Sequence, residues 1–291
     1  MRIARKAKPT LQGVEMDAGD VLDFELFNGH VRSFELLGTD AEVFETNLDL
    51  PGPGRPGGRT NYRFRCRLSI DGQQIELQRE VSTQRSFYEP WEFDGLQVWF
   101  DAVDDIFDFL SEDHGPCRPG KQARFGIHDA SLPVCPAKLH PWCPLPAGGL
   151  RIENCYNGED CWLGAYHGAA AHGGLDINHP RDTPLFAPLD IDDHYYFESL
   201  AKGHNNNRWR GHVRWPDGSE WILQAHHISE LLVPEHEPIP AGTHYAVGAG
   251  VLLGDHPHSH FVFKVVEESG EVMLDPWILF RQMYRDRGVR E

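Results

Sequence analysis

Apolar and polar residues alternate with period two along much of this chain, and the alternating segments predict strands. Val21-Leu-Asp-Phe-Glu-Leu-Phe alternates into Asn28-Gly29, a hairpin turn pair, and Val31-Arg-Ser-Phe-Glu-Leu-Leu resumes the pattern. The plainest hairpin follows. Tyr62, Phe64, Cys66, Leu68 and Ile70 alternate with Asn61, Arg63, Arg65, Arg67 and Ser69; Asp71-Gly72 turns; Ile75, Leu77 and Arg79 continue. Residues 95–100 and 122–128 predict two further strands, with a short helix over residues 104–110 between them. Residues 1–19 read as an irregular arm and residues 51–59, dense in proline and glycine, as a mobile loop.

The second half continues in the same manner. Thr183-Pro-Leu-Phe-Ala-Pro is extended, and Gly211-His-Val-Arg-Trp, Pro216-Asp-Gly-Ser and Trp221-Ile-Leu-Gln-Ala-His predict strand, tight turn, strand. Residues 190–207 read as a polar insertion, and a helix is expected only from Pro276 to about Tyr284. Residues 133–149 are rich in proline, show little periodicity and carry Cys135 and Cys143, which offer a cross-link. The expected class is therefore mainly β. An N-terminal β-sandwich-like domain over residues 1–140 precedes a second β domain over 150–291, with the first beside the site of the second and limiting what enters it.

Composition narrows the function. The 291 residues carry a formal net charge of −17, which argues against nucleic acid or an anionic membrane as partner. No run of about 18 apolar residues predicts a membrane span. The basic N-terminus has no apolar core behind it, so no signal peptide is expected. The six cysteines form no CxxC pair; Cys155 and Cys161 bracket a turn-rich loop that either a bridge closes or two free thiols flank.

Histidine changes the picture. Of 17, 13 lie between His167 and His260, and three segments stand out among them: His172-Gly-Gly-Leu-Asp176, Ala225-His226-His227-Ile228-Ser229 and His258-Ser-His260. Imidazole and carboxylate are good zinc ligands, and a catalytic zinc has three protein ligands with an open position. Two glycines disfavour a helix between His172 and Asp176, and a straight strand would set them roughly 13 Å apart. A bend at Gly173-Gly174, followed by a strand at Leu175-Asp176-Ile177, brings them together. His258 and His260 lead into Phe261-Val262-Phe263, so as strand residues i and i+2 they share a face; spacing alone leaves open which of the two is the ligand.

In this order the segments resemble the lysostaphin-type zinc endopeptidases, which include many peptidoglycan hydrolases, over residues about 164–280. His172 to Asp176 resembles that family's HxGxD stretch, His227-Ile-Ser its "HLS", His258-Ser-His-Phe its "HLHF", and Asp275-Pro276 its late "DP". The resemblance implies an antiparallel sheet flooring a groove, a zinc ion held by His172, Asp176 and His260, and catalytic roles for His227 and His258, without saying which is the base. It implies hydrolysis of peptide bonds in peptidoglycan stems or cross-links and an extracytoplasmic place, although the absence of a visible signal leaves a cytoplasmic one open. The alternatives are a non-catalytic module that binds peptidoglycan or a partner through the same groove, and a histidine-rich metal-binding protein. The glutamate that closes the family's "HLHFE" is replaced here by Val262 or Phe263, which puts groove shape and substrate choice in question.

Overall fold

In the computed structural model the described residues are 1–45, 60–112, 116–156, 162, 165–166, 170–199, 207–248 and 257–288. The expected loop at 51–59, Cys161 and part of the polar insertion lie outside them. The first half holds β1 (Arg2–Lys6), β2 (Gln12–Met16), β3 (Val21–Glu25), β4 (Val31–Glu45), β5 (Asn61–Ile70), β6 (Gln73–Val81), β7 (Trp91–Phe93), β8 (Leu96–Val103) and β9 (Ala123–Asp129). A five-stranded sheet runs β1-β3-β4-β5-β6 and a four-stranded one β2-β9-β8-β7. Their alternating apolar residues meet face to face, Phe34 edge-on to Phe125 and Phe64 edge-on to Phe100 at 5.1 and 5.2 Å.

The arm expected over residues 1–19 is instead β1 and β2. Their patterns are too short to read alone, and each is fixed by its partner: β1 pairs β3 in parallel and β2 pairs β9. The segment after β8 is a 3₁₀ turn, Asp104–Asp108, rather than an α-helix. On the arginine face of β5, Arg63 pairs with Glu80 and Arg65 with Asp40 and Glu42.

The second half holds β10 (Ala165–Tyr166), β11 (Ala170–Ala171), β12 (Leu175–Asn178), β13 (Thr183–Phe186), β14 (Asp193–Phe197), β15 (Arg208–Arg214), β16 (Glu220–His226), β17 (Glu230–Leu231), β18 (His244–Gly248), β19 (His258–Glu267), β20 (Gly270–Leu274) and helix α1 (Trp277–Asp286). Five of them order as β12-β19-β16-β15-β14, with β20 also on β19. Within the polar insertion read at residues 190–207 lies a strand, β14, that the sequence reading does not place. Asp193, Tyr195 and Phe197 alternate with buried His194 and half-buried Tyr196, and the strand closes the sheet edge against β15.

Alternation gives this sheet two different faces. Trp209, Trp221, Leu223, Ala225, Phe261, Phe263 and Val265 point to one side and are buried. Trp142 and α1 cover them, with Phe261 4.8 Å from Trp142 and 5.1 Å from Phe280. The other side carries the histidines.

The residues at 133–149 form no strand or helix, yet one apolar core runs through both halves of the chain from Leu11 to Tyr284. A side chain on Gly13 of β2 would meet Val265 and Val272 at 2.9 Å, so only glycine allows β2 to lie against the second sheet. The Gln282 side chain accepts from Cys135 N–H at 3.0 Å and donates to Cys135 C=O at 2.9 Å. Cys135 and Cys143 are separate buried thiols rather than a cross-link. Deepest is a buried ionic group. Arg79 meets Asp275, Arg124 Nε donates to Asp101 Oδ2 at 2.7 Å, and Asp101 Oδ1 accepts from Asp275 N–H at 2.8 Å. Arg79, Asp101 and Arg124 come from β6, β8 and β9, and Asp275 from the turn into α1.

Candidate metal centre

Three elements carry the histidine and aspartate cluster. His172 follows β11, and Gly173, at φ 71°, makes the bend that the sequence requires. Gly174 then needs to be glycine for a different reason: a β-carbon there would fall 2.3 Å from the His260 ring and 2.8 Å from the Phe261 carbonyl oxygen. The chain enters β12, antiparallel to β19, with Asp176 opposite His260 and Asn178 opposite His258.

Asp176 sits at the centre. Its Oδ1 is 2.9 Å from His260 Nδ1 and 3.2 Å from His172 Nε2, and those two nitrogens are 3.0 Å apart. Its Oδ2 is 3.2 Å from His258 Nε2. All four residues are buried. Burial pushes the Asp176 carboxyl up, but the neighbouring His172 and His258 charges and the hydrogen bonds from His172 and His260 hold it well below the usual carboxylate range. Burial also lowers the His260 pKa, against the pull of Asp176.

The donor set fits a metal ion better than it fits hydrogen bonding. A triangle of two ring nitrogens and one carboxylate oxygen has three edges, and each nitrogen carries at most one hydrogen, pointing one way. Hydrogens therefore serve two edges at most. A cation inside the triangle uses all three lone pairs. Zinc bonds of about 2.0–2.1 Å in a tetrahedron place neighbouring donors about 3.3 Å apart, close to the edges seen here. Neutral imidazole and ionised carboxylate are the protonation states such binding needs.

The other two histidines flank this triangle. His227 follows the end of β16 at φ 63°, a left-handed conformation uncommon outside glycine. It brings the His227 ring to 4.6 Å from that of His258 and 6.4 Å from that of His260. The five residues singled out from the sequence thus lie in one cluster: His172, Asp176 and His260 as converging donors, with His227 and His258 beside them.

Two further neighbours have no role in the sequence reading, Tyr156 unnoticed and His226 named only as part of its segment. Tyr156, after a short 3₁₀ turn, lies 4.4 Å from the His258 ring, with no periodicity to announce it. His226, whose ring is 4.6 Å from that of His260, ends β16 on the same face. Burial lowers its pKa well below the ordinary histidine value, helped by His260 and His227. Strand alternation from Gln224 would have found it.

No family model matches the chain, and no curated protein does. Solved structures do. The solution structure of lysostaphin is 21% identical over 42% of this chain and 49% of that one, with a TM-score of 0.34. The lysostaphin catalytic domain from Staphylococcus simulans is 20% identical over 49% and 90%, at 0.31. The likeness is to lysostaphin-type peptidases. A zinc-containing peptidase from Vibrio cholerae matches across both halves, 13% identical over 90% of this chain and 83% of that one, at 0.34. This chain spans about half the length of the full lysostaphin it matches.

Proposed function

We propose that this protein is a zinc metalloendopeptidase of the lysostaphin type that cleaves peptide bonds in peptidoglycan stems or cross-links, outside the cytoplasm. The observation that carries the reading is the convergence of His172 Nε2, Asp176 Oδ1 and His260 Nδ1 to within 3.2 Å of one another, with His227 and His258 alongside. Residues 150–291 carry the chemistry, and the sheets of residues 1–140 support them. His172, Asp176 and His260 hold the ion, which when bound supplies a Lewis acid that polarises a carbonyl and acidifies a water.

The remaining steps belong to the chain. Asp176 divides its carboxylate, Oδ1 toward His172 Nε2 and His260 Nδ1, where it would hold the ion, and Oδ2 toward His258 Nε2. The second contact holds the His258 ring against the carboxylate and beside His227. His227, fixed by its backbone turn, faces the same space. Together they take a proton from the attacking water and stabilise charge on the carbonyl oxygen. The chain has no HExxH motif to supply a glutamate base.

The test is purified protein incubated with peptidoglycan, its soluble products read by mass spectrometry. New peptide termini that vanish with a chelator and return with zinc support the reading. Binding to peptidoglycan with no new termini at any zinc level would leave the non-catalytic module.

A further inference from the structure

The sheet face that carries His260 continues past it. On β19 the same face presents Val262 and Lys264, on β16 Gln224 and His226, on β15 Arg208 and Arg210, and on β14 Tyr195 and Phe197; the register aligns them, with Arg208 opposite His226 and Phe197, and Arg210 opposite Gln224 and Tyr195. These side chains line a cavity of about 370 Å³ that reaches His260 and Gly173. That is the size of a small ligand pocket, too small for a broad polyanionic surface.

Its charge is opposite to that of the chain. Arg208, Arg210 and Lys264 face it, in a protein with net charge −17. One carboxylate, Glu271, meets both Arg210 and Lys264. Among the described residues Arg208 has no carboxylate within ion-pair distance; its guanidinium lies 4.7 Å over the Phe197 ring. A guanidinium stacked on an aromatic face keeps the edge of its N–H fork directed outward, the geometry that takes a carboxylate in two parallel bonds. Phe197 and its neighbour Tyr195 are partly exposed, by 45% and 39%, and wall the cavity on the far side from His260.

We propose that this cavity binds a carboxylate carried by the peptide substrate, about three or four residues from the bond that is cut. The inference rests on the peptidase reading above. Arg208 is two strands away from His260, roughly 10 Å at the usual strand spacing, and Lys264 is four residues along β19, roughly 13 Å. An extended peptide advances about 3.3 Å per residue, which sets the number of residues. The site therefore selects acidic peptides over neutral ones, and the cations offset the repulsion such peptides meet from the rest of the protein.

The test uses the full-length zinc-loaded protein and end-capped glycine/alanine hexapeptides, each with one glutamate at a scanned position, beside matched glutamine peptides. Binding is measured by calorimetry and cleavage by mass spectrometry. The best-placed glutamate should bind about tenfold or more tightly than its glutamine twin, three or four residues from any cut. Arg208→Gln should reduce that ratio to about threefold or less, and added salt should weaken it. Glu271→Gln frees two cations and should tighten glutamate binding, a gain that loss of fold cannot imitate. Equal binding of the two peptide sets by the unaltered protein overturns the inference, as does displacement of the glutamate peptide by inorganic phosphate but not by glutarate at matched ionic strength. Discrimination without cleavage of any peptide would remove the peptidase reading and keep the anion site. Cleavage without discrimination would do the reverse.

Discussion

Gly174 leaves no room for a β-carbon because the His260 ring already occupies that space, 2.3 Å from where the carbon would sit. The Phe261 carbonyl oxygen is a second obstruction at 2.8 Å, and the His260 ring, the nearer of the two and a side chain, moves furthest. Gly174→Ala should therefore weaken zinc binding by about 10–100-fold, the scale of losing a ligand's support, while circular dichroism stays that of the unaltered protein. Metal titration against a competing chelator checks it; unchanged affinity would remove His260 from the ligand set.

The ligands themselves give a larger effect. The purified protein should hold about one zinc per chain, and His172→Ala or Asp176→Ala should lose most of it by elemental analysis. Asp176→Ala should also release His258, whose Nε2 faces the second carboxylate oxygen at 3.2 Å.

His227→Ala separates holding the metal from using it. The variant should keep its zinc and lose about 10²–10⁴-fold in kcat, the usual scale of acid–base assistance. Zinc loss in this variant would instead mark His227 as a ligand.

How much of this was legible follows from distance along the chain. The hairpin at Asp71-Gly72 and the bend at Gly173-Gly174 are local, set by turn residues and alternation, and both stand as read. β1 and β2 were not legible, because their partners, β3 and β9, decide them rather than their own five residues. Residues 190–207 misled because the five residues of β14 are too few to show a period between polar flanks, and its aromatic Tyr195 and Phe197 point outward at the sheet edge. The candidate ligands could be named from spacing and resemblance. The cavity beyond them could not, since Tyr195, Arg208, Gln224 and Lys264 come from four separate strands and meet only through register.

Acid should destabilise the metal-free protein between about pH 6.5 and 4, where five buried histidines outweigh Asp275, whose carboxyl is pushed up to about 6 by burial and which acts in the opposite sense as pH falls. Burial lowers the pKa of His128, His194, His226 and His260, and pushes His179 down to about 4. The unfolded chain takes up these protons near pH 6.5 and the folded one does not, so stability is full above about 6.5 and falls as pH drops toward 4. His179 alone contributes on the order of 3 kcal/mol across that window. Thermal melts at pH 7, 6, 5 and 4 in the presence of chelator check it; a flat profile above pH 4 would contradict it.

The buried ionic group makes the two halves interdependent. Asp101→Ala removes the partner of Arg124 and an acceptor for Asp275 N–H, and should cost about 3–5 kcal/mol, as for any buried pair that loses one member. A chain starting near Pro144 lacks Arg79, Asp101 and Arg124 together and uncovers Val265 and Val272, so it should melt well below the full protein or fail to fold. A shortened chain that melts with the full protein would show that these contacts are dispensable.

β19 places Phe261, Phe263 and Val265 on one side and His258, His260 and Lys264 on the other. A slip of one residue against β12 or β16 would drive imidazoles and an ammonium into the core and turn three large apolar side chains to water. The pairing that buries the core is thus also the pairing that assembles the ligands, and folding proofreads the site before any metal arrives. Mistakes in this strand should appear as aggregated protein, not as soluble molecules with a half-built centre.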